Sequence, residues 1–437
     1  MSQVAADPSI EQALQRRRGA LAEAWRDREG LVLIGAGEPI HRPGRDDLTY
    51  PFEAHSEYLY LTDRNLAGGV LAFDPAEGWT DFQSPITLAD RLWSGAPAGD
   101  VEGPTTDQLA DWLAARSART VVWLGSPPSG THRRTHVDAK LTEDLRFDLA
   151  TVRRPKDAVE LARMRTAQRA SRTAFAAAVP LIQAGVSERE LQVELEAAAF
   201  RAGAEAMAYD TIIGGGTNSA VLHFAPSARR FGADELVLID AGAQHRGYAS
   251  DITRTYPVGG TFSGLQEELH AVVHRAEQLA IANCGPGIEW RDVHLLAALS
   301  IADGLGELGI LRGAPEDLVT SGAVWLFFPH GVGHLVGLGV RDAGGTPLRE
   351  RRGEPKPYAN LRIDLPLEPG YVVTVEPGVY FVPAILEDPD NRRRHGDAVD
   401  WEMVDRLIDF GGIRIEDNVL ITEDGQDVIT ADVPLLG

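Results

Sequence analysis

The sequence places carboxylates inside segments that are otherwise apolar enough to form buried β-strands. The segment ELVLIDAGAQHRGYASDITRTYPV contains Asp240 and Asp251, and Gly242 and Gly247 indicate a turn between two predicted strands. In a hairpin these two aspartates can face each other across neighbouring strands. Two carboxylates this close in an apolar site repel each other strongly unless a cation lies between them. The segment is therefore typical of a chain that folds around bound metal.

Three later segments repeat this pattern of chemistry-bearing residues among apolar ones. FFPHGVGHLVGLGV (327–340) contains His330 and His334, VVTVEPG (372–378) places Glu376 at the end of a strand, and GIRIEDNVLI (412–421) places Glu416 inside one. Taken singly, each residue has an ordinary explanation as a turn cap, an edge glutamate or a satisfied histidine. The ordered set is much more specific, and its predicted metal ligands are Asp240, Asp251, His334, Glu376 and Glu416.

Four carboxylates and one imidazole suit two divalent metal ions of hard to borderline character. We expect Mn²⁺, with Zn²⁺ and Co²⁺ as alternatives, because such ligands accept several metals. Two ions about 3.5 Å apart can share a bridging hydroxide and polarise a carbonyl, which is chemistry for amide hydrolysis. Thr253 follows Asp251 by two residues, so it projects from the same strand face and is predicted to support the site with its hydroxyl.

The first 150 or so residues read as an α/β domain of their own. Strands are predicted at GLVLIGAG (30–37), YLYLTD (58–63), GGVLAFDP (68–75) and VVWLG (121–125), and a helix at 107–118. A polar joint at 151–160 predicts a boundary near residue 153. We therefore expect an N-terminal α/β domain at 1–153 and a second domain at 154–437.

The second domain reads as mixed α+β, with helices covering a curved sheet. Helices are predicted from Ala158 to about Pro180 and over 186–203, where Ser187 and Glu190 form the pattern of a capping box. Two more are predicted near 263–284 and 291–309. The main strand signals are IIGGGTNSAVLHF, ELVLIDAGAQHRGYASDITRTYPV, YVVTVEPGVYF and GGIRIEDNVLIT.

Net charge, cysteine content and hydropathy limit which partners and which cellular compartment we expect. The formal net charge of -22 repels phosphate backbones, so we expect no nucleic-acid partner. The charge serves solubility, or part of it is neutralised by metal. The single cysteine, Cys284, excludes a disulfide framework within the chain and reads as a small buried residue. No apolar run of membrane-spanning length and no signal core is present, so we expect no membrane partner and a cytoplasmic protein.

The segments that carry the predicted metal ligands, in the order in which they occur in the chain, resemble the prolidase and aminopeptidase P family of pita-bread metallopeptidases. The likeness covers TIIGGGTNSAVLHF through GIRIEDNVLIT, and the N-terminal segment YPFEAHSEYLYLTD also resembles the family. The resemblance implies an α+β fold, with a C-terminal pita-bread (creatinase/aminopeptidase-like) catalytic domain and an N-terminal α/β creatinase-like domain. It also implies a homodimer in which the N-terminal domain can reach a partner's active site.

The resemblance further implies a function for each matched residue. Asp251 and Glu416 would bridge both ions, Asp240 would bind one, and His334 with Glu376 would bind the other. Glu376 also matches the residue that moves a proton from the attacking water to the leaving nitrogen. Three more positions match residues around the metals: His223 and His330 in the substrate pocket, with catalytic functions, and Arg414 in support of the metal site.

Spacing within the family indicates a dipeptidase. His334 precedes Glu376 by 42 residues, and Glu376 precedes Glu416 by 40, gaps that resemble the prolidase branch. Arg362 matches a position where prolidases hold the free carboxylate of a dipeptide, which a guanidinium does by two parallel hydrogen bonds. The alternative is that Arg362 belongs to a basic loop with Arg349, Arg351, Arg352 and Lys356.

One position departs from the family pattern. Where the family has histidine in a Val-His-Asp triplet, this chain has Val340-Arg341-Asp342. Arginine is always charged and cannot act as a neutral imidazole. It can instead donate to the substrate carbonyl or the tetrahedral intermediate, pair with Asp342, or reach a substrate carboxylate, so Arg341 is predicted to alter substrate preference or rate.

The sequence thus predicts a metal-dependent Xaa-Pro dipeptidase that acts on short proline-containing peptides. The nearest alternative is an Xaa-Pro aminopeptidase that acts on longer peptides. An alternative of another class is a catalytically weak pita-bread protein that binds peptides, although such relatives typically lack metal ligands and all five are present here.

Overall fold

The computed structural model describes residues 8–93, 95, 103–116, 119–128, 138–344, 356–358 and 360–436. The chain divides into two compact units, Met1–Arg153 and Arg154–Gly437. Within the described ranges, no helix has both the length and the apolar character that crossing a bilayer requires.

The first unit contains a small sheet with helices around it. Its helices are α1 (Pro8–Ala24), α2 (Ser56–Thr62), α3 (Leu88–Trp93), α4 (Leu109–Ala114) and α5 (Ala139–Arg153), and its strands are β1 (Leu31–Ala36), β2 (His41–Arg42), β3 (Arg45–Thr49), β4 (Val70–Asp74), β5 (Gly78–Phe82) and β6 (Val121–Ser126). The main sheet has the order β5-β4-β1-β6. Every residue of β1 is buried, as its unbroken apolar run predicts. β1 pairs antiparallel with β4 and parallel with β6.

The segment YLYLTD forms helix α2, so the predicted strand there is wrong. His55 caps this helix by accepting from the backbone N–H of Glu57, and Asp63 ends it in the left-handed region at φ 56°. Every residue of the helix after Ser56 is buried. A helix buried on all sides shows no amphipathic period, and its alternating tyrosines and leucines therefore read as a strand.

The second unit contains the remaining elements. Its helices are α6 (Ala158–Ala178), α7 (Glu188–Arg201), α8 (Gly264–Ala282), α9 (Trp290–Glu307), α10 (Pro315–Ser321), α11 (Pro383–Leu386), α12 (Pro389–Arg394) and α13 (Trp401–Arg406), and its strands are β7 (Ala206–Met207), β8 (Ile212–Gly215), β9 (Leu236–Asp240), β10 (Ala243–His245), β11 (Tyr248–Ala249), β12 (Thr253–Pro257), β13 (Val372–Val375), β14 (Gly378–Tyr380), β15 (Gly412–Arg414), β16 (Asp417–Ile421) and β17 (Gln426–Val428). Short 3-10 helices cover 179–181, 216–220, 258–260, 324–326 and 356–358. Helix α7 begins as predicted, because Ser187 and Glu190 form the capping box.

The strands of the second unit form several short sheets. Their orders are β12-β9-β8, β11-β10-β7, β13-β16-β17 and β14-β15. The predicted strand signal IIGGGTNSAVLHF is only partly right, because β8 ends at Gly215 and a 3-10 helix follows. Gly216 has φ 53°, a left-handed conformation that ends the extended run. His223 therefore lies on a turn and not in a strand.

Two apolar clusters support these sheets from the helix side. One joins α8, α9 and α10 to the strands that carry Glu376 and Glu416, and it includes the fully buried Trp290 and Phe327. The other joins α6 and α7 to β8 and β9 through residues such as Phe175 and Ile239. The strand ends that carry the predicted ligands are thus anchored in packed cores, which limits how far those ends can move.

Candidate metal centre

Asp240 and Asp251 come together in a different way from the simple hairpin predicted. In the antiparallel pair β9 and β12, Asp240 lies opposite Thr253, and the hairpin β10–β11 is inserted between the two strands. Asp251 lies just before β12, where the chain passes close to Gly242. A Cβ at Gly242 would lie 1.8 Å from the carbonyl oxygen of Ser250, so only glycine permits this approach.

The hydroxyl of Tyr209 lies between the two aspartates. It is 2.7 Å from Asp240 Oδ1 and 2.6 Å from Asp251 Oδ1. Burial and then the two carboxylates raise the pKa of Tyr209 well above its ordinary value, so the phenol keeps its proton. Sequence reasoning missed this residue, since its segment shows no period or spacing that would single it out.

Glu416 lies at the break between β15 and β16, where its backbone bridges to Thr253. The Thr253 hydroxyl donates to Glu416 Oε2 at 2.6 Å. Both side chains are buried. The structure thus brings together the acid and the supporting hydroxyl that the sequence singled out separately.

His334 presents one ring nitrogen to the carboxylates. Its Nδ1 lies 3.0 Å from the carbonyl oxygen of Leu335, which can only accept, so Nδ1 carries the proton. Nε2 lies 3.4 Å from Asp251 Oδ2 and 3.7 Å from Glu376 Oε1. Burial lowers the pKa of His334, but the two carboxylates outweigh burial and raise it. In its neutral form, the ring directs an unprotonated nitrogen at the acidic cluster, the arrangement of a metal-binding imidazole.

Glu376 follows the last residue of β13, as predicted, and its backbone N–H donates to Val332 at 2.8 Å. Burial, which outweighs the attraction of His334 and Arg414, raises the pKa of this carboxyl to about 7. The Thr374 hydroxyl lies 3.4 Å from Glu376 Oε1 and also accepts the backbone N–H of His334 at 3.1 Å. Thr374 therefore connects two predicted ligands.

The electrostatics of the cluster fit bound divalent metal. Burial and mutual repulsion raise the pKa of Asp240 and raise that of Glu416 well above its ordinary value. Ligand atoms of Asp251, His334 and Glu416 lie within 4.8 Å of one another. Carboxylates that resist ionisation next to each other are stabilised as anions by a cation between them. Oxygen ligands with one imidazole suit Mn²⁺, Zn²⁺ or Co²⁺.

Arg414 supports the cluster from behind. Its guanidinium donates to Asp240 Oδ2 at 2.6 Å, to Thr253 Oγ1 at 3.2 Å and to the Tyr380 hydroxyl at 3.0 Å. The arginine is buried, so these contacts keep its charge paired. The predicted supporting position of Arg414 thus coincides with direct contacts to one predicted ligand and to the supporting threonine.

His330 is fixed by two protein partners. Its Nδ1 lies 2.9 Å from the carbonyl oxygen of Gly331, so Nδ1 carries the proton and Nε2 accepts from Tyr380 at 2.8 Å. Burial lowers the pKa of His330 to about 3, and the ring is neutral at ordinary pH. Tyr380, which the sequence did not single out, thus connects His330 to Arg414.

Three further predicted residues, His223, Arg341 and Arg362, form an exposed rim. Burial and then the charge of Arg341 lower the pKa of His223, whereas Asp240 raises it. Burial and then Arg341 lower the pKa of Arg362, and Glu376 opposes them. These mutual influences place the rim within electrostatic range of the acidic cluster. Among the described residues, neither arginine has an ion-pair partner.

Arg341 does not pair with its neighbour Asp342, which was one of the contacts considered for it. Asp342 forms an ion pair with Lys156 at 2.8 Å, and both side chains are buried. Arg341 is therefore free of its neighbour and faces solvent. The arginines at 349, 351 and 352, which the basic-loop alternative invoked, lie outside the described residues.

Two further residues that sequence reasoning missed hold the site together. Asn418 accepts the backbone N–H of Asp251 at 3.0 Å and donates to its carbonyl at 2.6 Å. Glu188 accepts from Gly215 N at 3.1 Å, Asn218 Nδ2 at 2.8 Å and Ser227 Oγ at 2.6 Å. It fixes both ends of the loop that carries His223. A buried amide inside the apolar strand β16 was the available signal for Asn418, whereas Glu188 resembled an ordinary acidic residue in a first helical turn.

Sequence comparison gives relatives over almost the whole chain. The pattern of metallopeptidase family M24 matches residues 162–423. A probable Xaa-Pro aminopeptidase of Botryotinia fuckeliana is 33% identical over 93% of this chain and 90% of its own length. A probable Xaa-Pro aminopeptidase of Metarhizium acridum is 37% identical over 92% of this chain and 88% of its own length.

Solved structures give the same family. The aminopeptidase PepP of Pseudomonas aeruginosa superposes with a TM-score of 0.79 at 27% identity, covering 98% of this chain and 96% of that one. Aminopeptidase P of Escherichia coli with the inhibitor Pro-Leu gives 0.78 at 27% identity, covering 97% and 95%. These names favour the aminopeptidase alternative over the predicted dipeptidase. The chain belongs to metallopeptidase family M24, in its prolidase and aminopeptidase P group, and has the α+β pita-bread fold.

Proposed function

We propose that this chain is an Xaa-Pro aminopeptidase, which removes the N-terminal residue from peptides whose second residue is proline. The observation that carries the proposal is the buried group of Asp251, His334 and Glu416 in a chain of family M24. The relatives' names support the aminopeptidase specificity. The second unit, Arg154–Gly437, would be the catalytic domain.

The metal ligands we propose are Asp240, Asp251, His334, Glu376 and Glu416. When bound there, two divalent cations would supply Lewis acidity toward the scissile carbonyl and lower the pKa of the attacking water. A chain with this ligand set is not expected to be only a peptide-binding protein. Mn²⁺ is the proposed native metal, with Zn²⁺ and Co²⁺ as alternatives; reconstitution of the metal-free protein with each ion, followed by an activity assay, tests the choice.

Glu376 is the residue we propose to move the proton. Glu376 matches the family position that has this function, and its carboxylate can accept a proton from water and deliver it to the leaving nitrogen. Both ring nitrogens of His330 contact protein groups in this structure. It would line the pocket as a neutral ring, and His223 would contact the substrate from the exposed rim.

The exposed rim favours a site that is open where the part of the peptide after the scissile bond would lie. Arg362 is exposed in this structure. With Arg341 beside it, the rim offers two guanidiniums that can accept a carboxylate at more than one distance from the scissile bond. Longer peptides can therefore be accommodated, which favours the aminopeptidase over the dipeptidase.

Peptide length is the direct test. The full chain, supplied with Mn²⁺, is assayed with Ala-Pro, Ala-Pro-Ala and Ala-Pro-Ala-Ala, together with Ala-Ala-Ala as the control that lacks proline. We expect kcat/KM for the two longer proline peptides to exceed that for Ala-Pro by at least about tenfold, the equivalent of one good hydrogen bond to a charged group. A preference for Ala-Pro would restore the dipeptidase.

The family resemblance also leads us to propose a homodimer. Light scattering combined with size-exclusion chromatography measures the mass in solution directly. A mass of twice 47.2 kDa supports the dimer, and a mass of 47.2 kDa contradicts it.

A further inference from the structure

Arg254 is a fully buried arginine behind the strand break that carries Glu416. It follows Thr253 directly on β12, and successive residues of a strand point to opposite faces. The Thr253 hydroxyl contacts the side chain of Glu416, so Arg254 points away from the acidic cluster. On that opposite face Arg254 forms an ion pair at 2.8 Å with Asp417, the residue after Glu416. A buried ion pair therefore lies directly behind two residues of the metal centre.

The guanidinium of Arg254 also holds the backbone at this point. Its Nη1 donates to the Glu416 carbonyl at 2.6 Å and to the Thr253 carbonyl at 3.0 Å. Its Nη2 donates to Asp417 Oδ1 at 2.8 Å. The Thr253 carbonyl also accepts the backbone N–H of Glu416. One nitrogen of Arg254 thus joins the two segments where they bridge.

The positive charge of Arg254 is kept despite its burial. Burial lowers the pKa of Arg254, but Asp417 outweighs burial and raises it. Hydrogen bonds from an ionised donor are shorter and roughly twice as strong as those between neutral groups. The two carbonyls are therefore held more firmly than a neutral donor would hold them.

We propose that Arg254 is a positioning residue for the metal centre, and that it fixes Glu416 from the face opposite the acidic cluster. The inference rests on the proposed function, because it requires Glu416 to bind metal. Rotation of the peptide group that follows Glu416 would turn its side chain and displace the carboxylate. Arg254 opposes that rotation at the carbonyl, while the Thr253 hydroxyl holds the carboxylate itself.

Metal affinity of the full chain, measured by competition with a metal-sensitive dye, tests the proposal. Arg254→Lys keeps a charge for Asp417, but a single ammonium cannot reproduce the planar fork that reaches both carbonyls and the carboxylate. We expect this variant to bind Mn²⁺ about tenfold or more weakly than the wild-type chain. Arg17→Lys, at a buried arginine that donates to the Tyr60 carbonyl in the first unit, is the control for the exchange itself.

Asp417→Asn separates the ion pair from the contacts to the backbone. Asparagine removes the negative charge but keeps an oxygen that can accept from Arg254 and from Thr430. The contacts of Arg254 to the carbonyls of Thr253 and Glu416 remain possible, so metal affinity should stay within about threefold of the wild type.

The visible spectrum of the Co²⁺-loaded protein gives a second measurement, because it responds to coordination geometry. We expect it to change in Arg254→Lys and to stay unchanged in Asp417→Asn and Arg17→Lys. A function in folding alone would lower the thermal midpoint without altering this spectrum. If Arg254→Lys does not fold, Arg254→Met combined with Asp417→Asn removes both charges, and its metal affinity is compared with that of Asp417→Asn alone.

The outcomes separate this inference from the proposed function. Unchanged metal affinity and an unchanged Co²⁺ spectrum in folded Arg254→Lys, or equal losses in Arg254→Lys and Asp417→Asn, would overturn the positioning function and leave the metal centre in place. Absence of metal binding by the wild-type chain would overturn the proposed function, and this inference with it.

Discussion

Thr253 and Glu416 are linked twice. The Thr253 hydroxyl donates to Glu416 Oε2 at 2.6 Å, and the backbone N–H of Glu416 donates to the Thr253 carbonyl at 3.0 Å. The first contact orients the carboxylate, and the second fixes the backbone from which the carboxylate projects. A metal ligand held at both points loses little rotamer freedom when it binds an ion.

Replacement of this threonine should therefore weaken metal binding. Thr253→Val keeps the shape but removes the hydroxyl, and loss of such a supporting hydrogen bond costs about 10–100-fold in metal affinity. The matched control is Thr255→Val on the same strand, which loses contacts to the backbone of Arg414 but to no predicted ligand. Competition with a metal-sensitive dye measures both affinities. Equal losses in the two variants would contradict the prediction.

The metal-free protein should become less stable as pH rises. Burial raises the pKa of Glu376 to about 7 and that of Glu416 well above its ordinary value. In the unfolded chain both carboxyls lose their protons near 4.5, so between pH 4.5 and 7 the folded state binds more protons and stability falls with pH. Mn²⁺ should flatten this dependence, adding about 2.7 kcal/mol at a hundredfold excess over Kd. Urea unfolding at pH 5 and pH 7, with and without Mn²⁺, measures the difference; parallel curves would contradict it.

Arg341 should set the acid limit of activity through His223. Its positive charge lowers the pKa of His223, because a protonated imidazole is disfavoured beside a guanidinium. Arg341→Gln removes that charge, the pKa rises, and the acid limb of kcat/KM against pH moves to higher pH. Arg312→Gln, which removes an exposed arginine paired with Asp400, is the control. An acid limb that moves equally in both variants, or in neither, would contradict the coupling.

Glu277→Gln should stabilise the protein at alkaline pH. Glu277 is fully buried on α8, and burial together with Asp417 raises its pKa to about 9. Above its ordinary pKa of 4.5 the unfolded chain releases this proton while the folded chain keeps it, so folding becomes less favourable as pH rises toward 9. Glutamine keeps the shape without this titration, a gain on the order of 2 kcal/mol at pH 8 and none near pH 4.

Chemical denaturation at the two pH values measures this gain. Glu267→Gln, at an exposed glutamate on the same helix, is the control. The prediction is wrong if Glu277→Gln gains as much stability at pH 4 as at pH 8, because the gain would then not come from the proton.

Features written in short stretches of sequence could be predicted. The capping box of Ser187 and Glu190 and the strand that ends at Asp240 both follow from neighbouring residues. The strand at YLYLTD was wrong because tertiary burial on all sides removed the helical period. The strand at His223 was wrong because the glycines before it permit a tight turn that an apolar pattern does not reveal.

The contacts that complete the site depend on distant parts of the chain. The Tyr209 hydroxyl meets Asp251 across 42 residues of sequence, and Asn418 meets the same aspartate across 167. No local period encodes such pairings. The register was also missed, because the inserted hairpin β10–β11 places Thr253, and not Asp251, opposite Asp240. Peptide-length preference could not be read from spacing alone, and the relatives favour the alternative that spacing placed second.

The hydrogen bonds of Glu188 hold both ends of the loop that carries His223, and the buried Ser219 and Ala220 hold its first residues. The two ends are held at Asn218 and Ser227, which donate to Glu188. Neither of these hydrogen bonds involves a side chain from the residues between them. Substitutions at the exposed positions of that span, Val221, His223 and Ala225, can therefore change what the rim recognises without loosening the fold. Natural variation in substrate preference should concentrate there, while Glu188 itself should tolerate almost none.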